Sequence, residues 1–124
     1  MKMINTKNAP AAVGPYSQGV EANGMLFISG QIPFVPETGA VVSENIKEQT
    51  LQSLKNVLAI ANEAGYKKEN IAKCGVFMKD LSQFTLMNEV YAEFFGDHKP
   101  ARFAVEVSRL PKDVSVEIDA FVVK

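Results

Sequence analysis

The sequence predicts an α+β fold in which two helices pack against one face of a mixed β-sheet. Two observations support this prediction. Strand-like and helix-like stretches follow one another in the order β-β-α-β-α-β-β, and each helix-like stretch has one apolar stripe that a sheet can cover. The length of 124 residues with 47% hydrophobic residues suits a single domain over 1–124.

The first two strands are predicted on either side of Asn23-Gly24, within YSQGVEANGMLFISGQ at 16–31. Asn-Gly favours a type I′ hairpin turn because both residues tolerate a positive φ. The pattern also allows a short extra strand near residues 3–5. The stretch 32–43 contains two prolines and a glycine, so we expect a loop there.

The first helix is predicted to begin near Asn45, which can cap it together with Glu48 three positions later. Gly65 is expected to end this helix, because glycine adopts the positive φ that follows many helix termini. Apolar residues at spacings of three and four form its core-facing stripe: Leu51, Leu54, Val57, Leu58 and Ala61.

A buried strand is predicted over 72–80, followed by the second helix. Ser82 is expected to cap this helix and Gly96 to end it. The stripe of the second helix lies at helical spacing: Met87, Val90, Tyr91 and Phe94.

The last two strands are predicted over 102–108 and 114–123, as a hairpin that turns near Leu110-Pro111. Matching their apolar faces puts Arg102 across from Asp119 and on the same face as Glu117. The helices should cover the valine face, so the charged face looks away from them.

Two interpretations of this charged face stay open. Pattern alone favours a cross-strand salt bridge on an open sheet, which contributes less than ~1 kcal/mol and has no function. The same face also carries Ala104, Phe121 and Val123. A second copy of the chain that covered this apolar surface would make the charged group part of an interface.

Composition narrows the classes of function. The net charge is −1, from 13 basic and 14 acidic residues, so we expect neither nucleic acid nor an anionic membrane as a partner. One cysteine, Cys74, and one histidine, His98, are too few for a disulfide or a typical zinc site. We interpret Cys74 as a small buried residue and His98 as a loop residue.

Residues 1–12 lack the apolar run of a signal peptide, so we expect a cytoplasmic protein. No phosphate-binding loop or dinucleotide motif is present, and we expect no cofactor. What remains is an arginine, which can hold a carboxylate through two parallel hydrogen bonds, and acids that can activate water. Arg102 with Glu117 therefore suits metal-free hydrolysis of a small carboxylic acid.

Nearly the whole chain resembles the Rid/YjgF family, and specifically its branch of 2-iminobutanoate/2-iminopropanoate deaminases. The order and spacing of several motifs carry the resemblance: NAPAAVGPYSQGV (8–20), ISGQIP (28–33), ETG (37–39), SLKNVLAIANEAG (53–65), VFMKDLSQFTLMNEVYAEFF (76–95), PARFAVEVSRLPKDV (100–114) and VEIDAFVV (116–123). It implies a chorismate-mutase-like fold and a homotrimer with a central β-barrel, with ligand clefts between subunits.

The resemblance also implies the roles of particular residues. Arg102 would bind the substrate carboxylate, and Glu117 would position the attacking water, with Asp119 supporting the site or the structure. Phe103 and Ala104 would approach the ligand through their backbone. Further cleft residues implied in this way are Tyr16, Ser29, Gly30 and Asn88. The implied reaction converts small 2-imino acids to 2-oxo acids and ammonia without a cofactor.

The chain departs from the family pattern at two places beside the cleft. Many members have Ser or Thr followed by Cys after the arginine, where this chain has Phe103-Ala104, and its connection 96–99 is a few residues shorter. Two other functions therefore stay open. One is a non-catalytic module that binds small carboxylates, and the other is RNA cleavage or translation inhibition, which the near-neutral charge disfavours.

Overall fold

The computed structural model describes residues 1–124 and contains a six-stranded sheet, a small two-stranded sheet and two α-helices. The strands are β1 (Lys2–Ile4), β2 (Gly19–Ala22), β3 (Met25–Gln31), β4 (Phe34–Val35), β5 (Ala40–Val41), β6 (Ile71–Met78), β7 (Ala101–Glu106) and β8 (Val116–Val123). The helices are α1 (Ile46–Glu63) and α2 (Phe84–Phe95). The predicted α+β class is confirmed, and so is the predicted element order, with the optional strand present as β1 and with β4 and β5 added between β3 and α1. Neither helix has the length and apolarity that crossing a bilayer requires.

The main sheet has the strand order β1-β2-β3-β8-β6-β7. Strands β6 and β7 pair in parallel and all other neighbours pair antiparallel, so the sheet is mixed as predicted. Strands β4 and β5 form a separate short hairpin inside the stretch 32–43. The prediction of a plain loop there was therefore incomplete.

Two turns predicted from one or two residues each are confirmed by the backbone. Asn23 and Gly24 have φ values of 54° and 74° between β2 and β3, as a type I′ turn requires. Gly65 has φ 90° after α1, and the Tyr66 N–H donates a 2.9 Å hydrogen bond to the Ala61 carbonyl. This is the Schellman arrangement that satisfies the last carbonyls of a helix.

One of the two predicted helix caps is confirmed. The Asn45 side chain accepts hydrogen bonds of 2.9 and 3.1 Å from N–H groups in the first turn of α1. The prediction for Ser82 was wrong, because a 3₁₀ turn at 81–83 precedes α2. The Asp80 carboxylate caps that turn by accepting a 3.0 Å bond from the Ser82 N–H.

The buried face of α1 is rotated relative to the predicted stripe. Three members are buried as predicted: Leu54, Val57 and Ala61. Leu58 is half-buried and Leu51 is 37% exposed. Three polar residues of the buried face bind backbone groups: Gln49, Thr50 and Asn56. The Asn56 amide, for example, donates to the Ile32 and Phe34 carbonyls at 3.1 and 3.0 Å.

The core lies between the helices and one face of the sheet. In α2, Met87 and Tyr91 are buried as predicted, together with Phe95, which the predicted stripe omitted. Alternate residues of β8 are fully buried: Val116, Ile118, Ala120 and Val122. The apolar face predicted for this strand is therefore the face that the helices cover.

The predicted hairpin of the last two strands is wrong, because β6 lies between β7 and β8. The connection 107–115 contains a short 3₁₀ turn and carries the chain across the sheet instead of directly back. Arg102 is consequently aligned with Cys74, while Asp119 is aligned with Gly75. Local alternation predicts the two faces of a strand but not which strand lies beside it.

Arg102 and Glu117 therefore lie on opposite faces of the sheet, which contradicts the predicted shared face. Arg102 is aligned with Cys74, which is buried under the helices, whereas Glu117 is aligned with Phe77 on the other face. Alternate residues of a strand point to opposite faces. The two groups predicted to form one site are thus separated by the sheet within a single chain.

The face of the sheet that bears Glu117 is uncovered, and we call it the open face. Six large apolar side chains on it are each between 38% and 46% exposed: Met25, Phe27, Phe103, Val105, Phe121 and Val123. Phe27 and Phe121 pack edge to face with ring centroids 5.5 Å apart. A contiguous apolar surface of this kind is typical of an interaction site.

Candidate active site

Arg102 lies on the edge strand β7, and its side chain reaches toward α2. Its Nη1 donates a 2.7 Å hydrogen bond to Asn88 Oδ1. Its Cζ lies 4.7 Å from the ring centroid of Tyr91 and 5.4 Å from that of Phe84. The two ion pairs of the chain are elsewhere: Lys47–Glu89 and Arg109–Asp113. Arg102 is thus a half-buried cation without a counter-ion, which suits anion binding.

A depression of about 340 Å³ opens beside Arg102, between the end of α2 and β7. Tyr91 forms part of its wall, and Lys99 lines it from the connection after α2. That connection is anchored by His98, whose Nε2 lies 2.7 Å from the Ile71 carbonyl oxygen. A depression of this volume can hold a small organic acid.

Glu117 lies on the open face, close to the backbone of β3. A Cβ built on Gly30 would overlap the Glu117 carboxylate, so only glycine allows the approach. Burial raises the pKa of the Glu117 carboxyl above its ordinary value, and the neighbouring Asp119 carboxylate raises this pKa further. Asp119 itself accepts a 2.8 Å hydrogen bond from the Gly75 N–H. Glu117 is therefore a carboxylate that holds a proton more readily than usual.

A second depression, of about 470 Å³, lies at the end of β3 and includes Tyr16 and Gly30 in its lining. The Ser29 hydroxyl donates a 2.6 Å hydrogen bond to the Ser17 carbonyl, which holds the Tyr16 loop against β3. Gln18 is buried and ties the same loop down through hydrogen bonds to Thr6 and nearby carbonyls. Ser29 thus shapes the loop instead of pointing freely into the depression.

The predicted site residues form two groups that do not meet within the chain. Arg102, Asn88 and the half-buried Ala104 lie on the helix side of β7. The second group lies on the open face or at the end of β3: Tyr16, Ser29, Gly30, Phe103 and Glu117. The Phe103 ring packs edge to face on Phe77, with centroids 5.3 Å apart. The predicted site residues therefore lie in a cationic group beside α2 and a separate acidic group on the open face.

Sequence reasoning missed that Tyr91 and Phe84 contact the Arg102 guanidinium. Tyr91 was predicted only as a core residue, and Phe84 was not singled out. Phe84, Asn88 and Tyr91 are spaced at i, i+4 and i+7, which places all three on one side of α2. That spacing is visible in the sequence, but the neighbouring strand that supplies the arginine is not.

Cys74 lies buried beneath this arrangement, as predicted. Burial raises the pKa of its thiol to about 11, although the neighbouring Arg102 opposes that shift. The thiol is therefore protonated at neutral pH and is a poor nucleophile. No three His, Cys, Asp or Glu side chains are clustered so as to hold a metal ion.

Comparison with known proteins shows relatives that align over nearly the full chain. The family model of endoribonuclease L-PSP matches residues 6–124. A 2-iminobutanoate/2-iminopropanoate deaminase of Salmonella typhimurium is 52% identical over 99% of this chain and 98% of its own length. A RutC family protein of Pyrococcus horikoshii is 54% identical, with coverage of 99% and 98%.

A solved structure extends this likeness to three dimensions. The crystal structure of E. coli TdcF with bound serine matches with a TM-score of 0.96 at 46% identity, and the match covers 100% of this chain and 99% of that one. All eight predicted site residues fall within the residues that the family model matches.

Proposed function

Because the chain belongs to the endoribonuclease L-PSP family, also called Rid/YjgF, we propose that it hydrolyses 2-iminobutanoate and 2-iminopropanoate to 2-oxo acids and ammonia. The Salmonella relative bears the name of this activity at 52% identity over nearly the whole chain. The observation that carries the proposal is Arg102, a half-buried guanidinium with no carboxylate partner in the chain. The reaction needs no cofactor.

Arg102 binds the carboxylate of the imino acid. A guanidinium has five N–H donors, and one hydrogen bond to Asn88 leaves the others for a bidentate contact. The E. coli TdcF structure contains serine, whose carboxylate has the same geometry. This supports a small carboxylic acid as the ligand class.

Glu117 positions the water that attacks the imine. As the water oxygen bonds to C2 of the protonated imine, the C=N π electrons move to nitrogen and the Glu117 carboxylate accepts the proton that the water loses. Glu117 then returns this proton to the carbinolamine nitrogen. The C2–N bond breaks, nitrogen leaves as ammonia with the bonding electrons, and the C2 hydroxyl loses its proton to solvent as it becomes the oxo group. Because the imine already reacts slowly with water, positioning and charge stabilisation are sufficient for catalysis.

The active site combines two copies of the chain. Arg102 of one copy meets Glu117, Gly30 and Tyr16 of another, since these groups lie on opposite sides of the sheet in one chain. The uncovered apolar side chains of the open face support such an assembly. In the homotrimer that the family resemblance implies, three open faces line a central barrel and the ligand clefts lie between subunits.

Two other functions are the alternatives to catalysis. A non-catalytic module that binds small carboxylates is favoured by Phe103, whose bulk at a position next to Arg102 alters the family pattern. Ribonuclease activity, which the family name suggests, is not favoured by the net charge of −1, because RNA-binding surfaces are usually basic.

A coupled assay tests the proposal. A threonine dehydratase generates the imine, and semicarbazide traps whatever is not hydrolysed. Wild-type protein is expected to suppress semicarbazone formation, whereas Arg102→Ala and Glu117→Ala are not. The matched control is Arg109→Ala, because Arg109 is an exposed arginine that pairs with Asp113 and it should leave suppression intact.

The assay has two results that contradict the proposal. If the wild type does not suppress semicarbazone formation, the binding module is the better description. If Arg102→Ala suppresses as well as the wild type, the arginine has no part in the mechanism.

A further inference from the structure

Three side chains of α2 surround the Arg102 guanidinium from the helix side. Phe84, Asn88 and Tyr91 follow one another at i, i+4 and i+7, so they form one stripe that faces β7. The two rings lie 5.4 and 4.7 Å from Arg102 Cζ, and Asn88 accepts its 2.7 Å hydrogen bond. We call this stripe the α2 platform.

The α2 platform fixes the Arg102 side chain, which an edge strand cannot do alone. An arginine side chain is long and loses much rotamer freedom when it is fixed, and β7 has a neighbouring strand on only one side. A cation within about 6 Å of an aromatic ring centroid is attracted to the ring face, and the Asn88 bond fixes its rotation over that face. Ordering the guanidinium before a ligand arrives reduces the cost of binding.

The ring of Tyr91, not its hydroxyl, makes this contact. Tyr91 is only 7% exposed, and its hydroxyl has no hydrogen-bond partner of acceptable geometry, although the Cys74 thiol lies beside it. Burial raises the pKa of Tyr91, so the hydroxyl is neutral and carries no charge toward Arg102. Removing that hydroxyl therefore leaves the contact with the guanidinium unchanged.

We propose that Phe84 and Tyr91 are positioning residues that hold the Arg102 guanidinium ready for the substrate carboxylate. The ligand class in this inference rests on the proposed function. The positioning itself rests on the two ring distances, the Asn88 hydrogen bond and the lack of a carboxylate partner for Arg102. Neither ring needs to touch the substrate.

Arginine side-chain NMR with 2-oxobutanoate, the stable reaction product, tests this role without relying on catalysis. In the wild type and in Tyr91→Phe, the ring should shift the Arg102 N–H resonances upfield, and 2-oxobutanoate should bind with equal affinity. In Tyr91→Leu the upfield shift should decrease, because only the Phe84 ring remains, and binding should weaken about threefold to thirtyfold. Phe84→Leu should change both readouts in the same direction.

Phe94→Leu is the matched control. Phe94 lies on the same helix and carries its own cation, since Lys68 Nζ lies 4.2 Å from its ring centroid, but it does not contact Arg102. This variant should keep the Arg102 resonances and the affinity of the wild type. It therefore separates loss of the platform from general weakening of α2.

Two results would overturn the inference. One is wild-type affinity and unchanged Arg102 resonances in both Tyr91→Leu and Phe84→Leu. The other is an equal loss of affinity in Tyr91→Phe and Tyr91→Leu, which would assign the role to the hydroxyl. If the wild type shows the shifted resonances and binds 2-oxobutanoate but does not hydrolyse imines, only the proposed function fails.

Discussion

No Cβ atom fits between Gly30 and the Glu117 carboxylate. The close approach arises where the β3–β8 register shifts between Ile28 and Gln31, which brings the β3 backbone against Glu117. Gly30 is not among the residues with a positive φ. Lack of space, and not backbone conformation, therefore makes glycine necessary here if the Glu117 carboxylate is to keep its position.

Gly30→Ala should reduce imine hydrolysis at least about tenfold, because the added methyl group displaces the carboxylate that holds the water. Its melting temperature should change little. Gly65→Ala is the opposite control: Gly65 has φ 90° and open space around it, so alanine should cost about 1 kcal/mol of stability and leave the rate unchanged. A fully active Gly30→Ala would refute the role of this contact.

Mixing two inactive variants should restore activity if Arg102 and Glu117 act from different chains. In an equal mixture of Arg102→Ala and Glu117→Ala, about three-quarters of random trimers contain both variants, and each of these has one intact site out of three. Co-expression should therefore recover about a quarter of the wild-type rate. If both residues acted from one chain, the mixture would stay inactive.

The raised pKa of Glu117 predicts how stability depends on pH. A carboxyl with a raised folded-state pKa binds more protons in the native than in the unfolded state, so its contribution falls as pH rises from the ordinary glutamate pKa through the raised one. Glu117→Gln removes this titration. The difference in melting temperature, variant minus wild type, should be larger at about pH 8 than at about pH 4. An equal difference at both pH values would contradict the raised pKa of Glu117.

Asp119→Asn should move the acid limb of the pH–rate profile to lower pH. The Asp119 carboxylate is the second cause of the raised Glu117 pKa, after burial, so removing its charge lowers that pKa only in part. The asparagine oxygen can still accept the hydrogen bond from Gly75, which preserves the strand. The measurement is kcat/KM against pH. An upward displacement of the limb would exclude Glu117 as the group that titrates.

Asn45→Ala should destabilise the protein by about 1 kcal/mol, because the first turn of α1 loses both hydrogen bonds to the cap. Denaturant unfolding measures the change. Asn62→Ala is the control, since Asn62 is exposed near the end of the same helix and alanine has the higher helix propensity. A loss of stability as large for Asn62→Ala would show that capping is not the cause.

Features that depend on neighbouring residues were predicted well. The Asn23-Gly24 turn, the Asn45 cap and the end of α1 at Gly65 each follow from a backbone preference that acts within a few residues. The Ser82 cap failed at the same scale, because Asp80 offers a carboxylate two positions earlier and starts a 3₁₀ turn.

Features that depend on distant residues were not predictable in the same way. The alternation of Phe103 and Val105 matches a covered strand, but β7 is an edge strand and these side chains lie on the open face. Choosing between a hairpin and a crossover requires knowing that β6 fits between β7 and β8. The strand pattern singled out Arg102 and Glu117, and the resemblance to a family assigned their roles, but neither predicted that the strand order places them on opposite faces of the sheet.

Strand β8 also has a consequence for how the molecule reaches its native state. It is the sole hydrogen-bonded bridge between the β1–β3 meander and the β6–β7 pair, and it joins residues as distant as Met25 and Val123. Such remote pairings incur loop-closure entropy before they contribute any stability, which slows folding. We therefore expect the two parts of the sheet to gain protection from hydrogen exchange together, in one cooperative transition governed by the docking of a single strand.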